Sequence, residues 1–148
     1  MNDDLYYMSE AFKEARLAAE IDEVPVGAIV VHDGEIIARA HNLRETAKNA
    51  LCHAETMVVD AACKALGGWR LPRCTLYVTL EPCPMCAGAI VNSRIERVVF
   101  GAYDKRAGAF GSVLDLNGYP LNHKPEIVGG IMEEECRTLL QEFFKKKR

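Results

Sequence analysis

Two short segments of this sequence could do chemistry together: His53-Ala54-Glu55 and Pro82-Cys83-Pro84-Met85-Cys86. Two cysteines three positions apart on a first helical turn can present both sulfurs to one ion. The positive end of such a helix favours the thiolate form that a metal needs. His53 raises the protein ligands to three. A tetrahedral zinc then keeps its fourth position for water, the arrangement of a catalytic site, whereas a structural site would be closed by a fourth residue. Zinc held this way lowers the pKa of its water to about 7. Glu55, two positions beyond the histidine, is placed to move protons without binding metal. Taken singly these motifs are weak. A C-x-x-C also serves redox pairs and structural zinc sites, and His or Glu is common at helix starts. Taken together, with 26 residues between Glu55 and Pro82, they describe a hydrolytic centre. A binding module built on a structural zinc is the alternative from another class, and it would unfold without its metal.

Each segment stands where a helix should begin. The apolar positions Leu5, Met8, Phe12, Ala15 and Ala19 follow a helical period. Residues 25–31 and 35–40 are strand-like, joined by His32-Asp33-Gly34, whose Asp-Gly pair signals a hairpin. Residues 53–66 return to helical spacing through Met57, Val58, Ala61, Ala62 and Ala65, and Gly67-Gly68 ends that helix. A strand over 74–80 leads to Pro82 and a helix over 84–93; 97–101 is another strand. A Gly-rich loop spans 104–112, and 126–129 is a weaker strand. The last helix has the apolar face Cys136, Leu139, Leu140, Phe143 and Phe144. This alternation predicts an α/β sandwich, the first two strands antiparallel and the later ones parallel through helical crossovers. Both motifs then face one end of the sheet.

The 148 residues, 49% hydrophobic and 26% charged, suit one soluble domain over residues 1–148, ending in the basic tail Lys145-Lys146-Lys147-Arg148. No apolar run approaches the roughly 20 residues of a membrane span. Met1-Asn2-Asp3-Asp4 is acidic where a signal peptide starts basic. The expected setting is therefore the cytoplasm, where the six cysteines read as metal ligands or buried thiols rather than disulfides. Cys63, Cys74 and Cys136 are expected to pack as small hydrophobes. A net charge of −3 argues against indiscriminate nucleic-acid binding, yet the charge is uneven. It is −7 over residues 1–63, +4 over 64–106 where the C-x-x-C lies, and 0 over 107–148. Arg70, Arg73, Arg94, Arg97, Lys105 and Arg106 are candidate phosphate contacts.

The joint signature is that of the zinc nucleobase deaminases. Within them the chain resembles the bacterial tRNA-specific adenosine deaminases of the cytidine/deoxycytidylate deaminase superfamily. Besides the two motifs, the likeness rests on Glu23-Val24-Pro25-Val26-Gly27-Ala28, His41-Asn42, Leu76-Tyr77-Val78-Thr79-Leu80-Glu81 and Ala87-Gly88-Ala89. It continues through Ser93-Arg94-Ile95, Val98-Val99-Phe100-Gly101-Ala102, Gly111-Ser112, Asn122-His123 and Phe143-Phe144, and so covers nearly the whole chain.

The resemblance implies a cytidine deaminase-like three-layer α/β/α sandwich with a central mixed sheet of about five strands. It also implies a homodimer with one Zn2+ per subunit that hydrolyses an amidine C–N bond. The reaction would turn adenosine into inosine at the wobble position, 34, of a tRNA anticodon stem-loop. By motif, His53, Cys83 and Cys86 would hold the zinc. Glu55 would carry protons from the water to adenine N1 and then to the leaving amino group. Asn42, Ala54 through its backbone N–H, Asp104, Asn122, His123 and Phe144 would lie on the substrate side.

Plainer readings exist for several of these residues: a turn former for Asn42, a loop carboxylate for Asp104, a turn after Gly118-Tyr119-Pro120 for Asn122-His123. Of Phe143 and Phe144, one is expected in the core and one near the substrate, beside the basic tail. Two positions depart from the family pattern. Cys52, before the ligand histidine, reads as packing; Phe110 sits in the loop expected to close over the nucleotide, where small residues are usual. A deaminase of free guanine or cytidine is the alternative enzyme. The basic middle block and tail favour RNA, since a small neutral base needs no phosphate contacts.

Overall fold

A computed structural model describes residues 3–147. Met1 and Asn2 of the acidic start and Arg148 of the basic tail lie outside the described residues. The elements are α1 (Asp4–Glu20), β1 (Gly27–His32), β2 (Glu35–His41), α2 (Ala54–Leu66), β3 (Cys74–Leu80), α3 (Pro84–Asn92), β4 (Arg97–Ala102), β5 (Glu126–Gly129) and α4 (Glu133–Lys146), with a short 3-10 turn at Leu116–Gly118. The sheet order is β2-β1-β3-β4-β5. β1 pairs antiparallel with both β2 and β3, while β3–β4 and β4–β5 are parallel. This is the expected mixed five-stranded sandwich.

Period-two alternation builds two cores from the same strands. Ala28, Val30, Leu76, Val78, Val98 and Phe100 face α2 and α3, meeting Val58, Ala62, Ala87 and Ile90. Ile29, Val31, Tyr77 and Val99 face the other way, against Met8 and Ala11 of α1. Asp33 (φ 48°) and Gly34 (φ 82°) both take the left-handed conformation that a two-residue hairpin requires. β1 begins at Gly27 instead of residue 25, because Pro25 has no N–H to give a ladder and Val26 N–H closes a tight turn on Val24 O (2.8 Å).

Two helix faces differ from expectation. In α1 the buried apolar residues are Met8, Ala11, Ala15 and Ala18, while Leu5 is exposed and Phe12 and Ala19 are half-buried. Small residues decide this face. A Cβ on Gly27 would lie 2.2 Å from Ala11 O and 2.3 Å from Ala15 N, so helix and strand meet backbone to backbone along the alanines. In α4 only Cys136 is buried among the described residues; Leu139, Leu140 and Phe143 are half-buried and Phe144 is exposed. α4 closes the sheet near β4 and leaves its last turns at the edge of the open end.

The N-terminus of α1 is anchored across the sheet. Asp4 accepts two hydrogen bonds from the Arg97 guanidinium (2.8 Å each) and one from Tyr77 Oη (2.7 Å). The opposite ends of β3 and β4, paired at Leu80 and Ala102, release the two loops that shape the site. In open α/β sheets that carboxyl edge is where ligands bind.

Candidate active site

His53 and Cys83 are the N-cap residues of α2 and α3, both in extended backbone conformation (ψ 156° and 173°), and neither side chain caps its own helix. Their donor atoms are therefore free to converge. Cys86, on the first turn of α3, is fully buried. His53 Nδ1 stands 3.5 Å from Cys86 Sγ and 3.7 Å from Cys83 Sγ, and all three donor atoms lie within 4.8 Å of one another. A tetrahedral ion with bonds of about 2.0 Å to nitrogen and 2.3 Å to sulfur holds such atoms about 3.5 Å apart. The donor set and its spacing fit zinc, and three protein donors leave one coordination position open.

These three groups lie close enough to shift one another's titration. Cys83 is pushed down to about 4 by the hydrogen bond from Cys86, helped by His53 and opposed by burial. Cys86 keeps its proton, raised by that same bond and by burial. His53 is raised by its bond to Cys83. Cys52, although adjacent to His53, is half-buried and lies outside the donor cluster.

Glu55, on the first turn of α2, is 4% exposed. Burial pushes its carboxyl up to about 7, with the bond to its own backbone and the charge of His53 pulling the other way. A group poised there can take and return a proton at neutral pH.

His53, Cys83 and Glu55 line a cleft of about 1580 Å³, with Cys86 buried behind them. Asn42, Ala54, Asp104 and Phe144 line the same cleft, so the structure brings these four together with the metal site. Asn42 also forms its turn: Nδ2 donates to Val24 O (3.3 Å) and Oδ1 accepts from Arg44 N (3.1 Å). One amide hydrogen and one lone pair remain for a ligand. Asp104 Oδ1 accepts from Arg106 N (3.0 Å) and Ala107 N (3.2 Å), leaving its other oxygen.

Asn122 and His123 are not brought to the cleft. They precede β5, and His123 Nε2 lies 2.6 Å from Ile95 O, at the end of the sheet opposite the site. The chain must return there to begin a parallel strand. Phe143 is half-buried outside both core clusters, its ring edge-on to Phe144 at 5.5 Å, so neither phenylalanine is in the core. Phe110 turns inward, 6% exposed, and joins the core instead of shaping the cleft. Cys74 and Cys136 are buried as expected, and half-buried Cys63 packs against the core.

The basic residues divide by location. Lys105 and Arg106 line the cleft. Arg97 is engaged by Asp4 and Arg73 by Asp33 (3.0 Å). Arg70 and Arg94 flank exposed Trp69 at 4.5 and 5.6 Å, beside the C-terminal ends of α2 and α3. Arg44 and Arg137, which no motif in the sequence marks, join Lys145 and Lys147 on the cleft's rim. Glu81 and Glu23, each 1% exposed, are likewise unmarked by any motif of their own. The available signal was a glutamate bordering an apolar strand, directly before the Pro82 that introduces the cysteines.

A family model described as MafB19-like deaminase matches residues 2–148. A tRNA-specific adenosine deaminase of Bacillus subtilis (strain 168) is 57% identical over the whole chain and 92% of its own length. A chloroplastic tRNA(adenine(34)) deaminase of Arabidopsis thaliana is 45% identical over 96% of this chain, which spans 12% of that longer protein. A solved structure from work on A-to-I editing by tRNA:A34 deaminases superposes with a TM-score of 0.89 at 45% identity, covering 91% of this chain and 99% of the other. On sequence and fold together, the chain belongs to the tRNA-specific adenosine deaminase family.

Proposed function

We propose that this protein hydrolyses adenosine to inosine and ammonia at wobble position 34 of a tRNA anticodon, with one zinc held by His53, Cys83 and Cys86. The observation that carries the reading is the three-donor cluster at two helix N-termini with buried Glu55 beside it. Zinc bound there supplies a water activated at neutral pH. Glu55 would take a proton from the attacking water and place it on adenine N1 as oxygen bonds to C6, then carry the proton of the new C6 hydroxyl to the amino group, so that the C6–N bond breaks and ammonia leaves. Burial holds the Glu55 carboxyl above the ordinary glutamate range, which suits a group that must both take and give a proton. Ala54 offers a backbone N–H at the positive end of α2 for the charge that develops on the base. Asn42 and Asp104 hold the nucleotide with their remaining polar atoms, and the exposed ring of Phe144 stacks on a base.

The rim of Arg44, Lys105, Arg106, Arg137, Lys145 and Lys147 favours a polyanion over a free base. Arg137 is shared with Glu133 and Glu134 and Lys147 with Asp22, while Lys105, Arg106 and Lys145 form no ion pair among the described residues. A cytoplasmic homodimer suits a tRNA substrate, and no helix among the described residues is long and apolar enough to cross a membrane. Asn122 and His123 are left out of the nucleotide site of the subunit that carries them. The test is competition between an anticodon stem-loop bearing A34 and free adenosine, guanine or cytidine, across a salt series. The stem-loop should react with steep salt dependence; salt-insensitive turnover of a free base would overturn the reading.

A further inference from the structure

Glu81 lies between the end of β3 and the ligand Cys83, and its carboxylate carries more hydrogen bonds than any other acid of the cleft. Oε1 accepts from Asp104 N–H (3.0 Å) and Ser112 Oγ–H (2.5 Å). Oε2 accepts from Phe110 N–H and Ser112 N–H (3.1 Å each). The neighbouring backbone adds to this: Glu81 N–H donates to Ala102 O (2.9 Å), and Pro82 O accepts from Ala109 N–H (2.8 Å). Gly108 lets the loop come this close, since a Cβ there would stand 2.4 Å from Glu81 Cδ and 2.5 Å from Asp104 O. Loop 104–112 has little regular structure of its own, so its buried amides need such an acceptor.

The geometry points to Glu81 as a positioning residue that locks the metal-binding turn 81–83 to the cleft wall 104–112, and thereby sets affinity for the nucleotide substrate. It is not a second acid/base group. Four donors fill a carboxylate's acceptor sites, leaving none for substrate or metal. The wall it holds carries Asp104, Lys105, Arg106 and Ala107 into the cleft. The affinity part of this inference rests on reading the cleft as the nucleotide site; the lock itself does not.

The test compares zinc-loaded, full-length wild type with Glu81→Gln and Ser112→Ala. Glutamine turns its NH2 toward one pair of donors, setting donor against donor, whereas Ser112→Ala removes a single hydroxyl donor. Amide hydrogen exchange across 104–112 should speed up about 100-fold in Glu81→Gln and roughly 5-fold in Ser112→Ala, with α2 exchange and zinc content unchanged. KM for the A34 stem-loop should rise about 10-fold in Glu81→Gln with kcat within about 3-fold, as expected for lost binding. If Glu81→Gln does not fold, Ser112→Ala carries the test alone. Unchanged loop exchange with unchanged KM would overturn the inference, as would a fall in kcat at constant KM. Faster loop exchange in proteins that never turn over the stem-loop, wild type included, would support the lock and refute the substrate.

Discussion

Glu55 and Glu81 line the same cleft and are both buried, at 4% and 1% exposure, yet their carboxylates are used in opposite ways. Glu81 is saturated by four donors from the 104–112 loop. Glu55 is governed by burial, which lifts it to about 7 and leaves it able to exchange a proton. Glu55→Gln should therefore lower kcat by roughly 10²- to 10⁴-fold, the usual worth of a positioned acid/base, while zinc content stays at one per subunit. Elemental analysis beside single-turnover kinetics checks both halves, and zinc loss on substitution would make Glu55 a ligand instead.

Metal removal separates a catalytic from a structural ion. Only the first turns of α2 and α3 reach the donor cluster, and the rest of both helices is fixed by Val58, Ala62, Ala87 and Ile90, all fully buried. Chelation should abolish activity, preserve the far-UV circular dichroism spectrum and lower Tm by roughly 5–10 °C. Added zinc should restore the rate. Cooperative unfolding on chelation would instead describe a structural site.

The cationic rim predicts how binding responds to salt. Lys105→Ala combined with Arg106→Ala should raise KM for the stem-loop about 10-fold and reduce the slope of log affinity against log salt by roughly one. The loss should be similar for different loop sequences, because phosphate contacts carry no base identity. A change in sequence preference at constant slope would move these residues from phosphate to base recognition.

Stability at acid pH has a separate origin, remote from the cleft. The Arg97 hydrogen bonds hold Asp4 below its usual 3.8, against burial and with help from Tyr77. Because the folded value is lowered, this stabilisation is present above pH 3.8 and disappears as pH falls through the lowered folded value. Asp4→Asn should cost about 2–3 kcal/mol at pH 7, below the full range for buried pairs because the Arg97 side chain is 29% exposed. Urea titrations should show wild type and variant converging below pH 3.8, and a constant gap down to pH 2 would contradict the assignment.

The hairpin, the strand alternation and the two motifs at helix starts were legible because each follows from local chemistry: turn φ values, period-two burial, capping positions. The face of α1 was not, since the close approach of Gly27 to Ala11 and Ala15 is a tertiary event that no helical period records. In the sequence Glu81 only borders an apolar strand and carries no mark of a purpose. Its role exists only because Asp104, Phe110 and Ser112 fold back on it from 23 to 31 residues away. Asn122 and His123 show the opposite limit. A motif places residues in the sequence, and the return of the chain to start β5 places them at the other end of the sheet.

The central claim is tested most directly by incubating the zinc-loaded protein with anticodon stem-loops that differ only at position 34, and quantifying inosine by mass spectrometry of the digested RNA. The A34 loop should yield inosine with stoichiometric ammonia, Glu55→Gln should yield essentially none, and a G34 loop should remain unchanged. Retention of adenosine at position 34 by fully zinc-loaded wild type, or equal turnover by Glu55→Gln, would contradict the account.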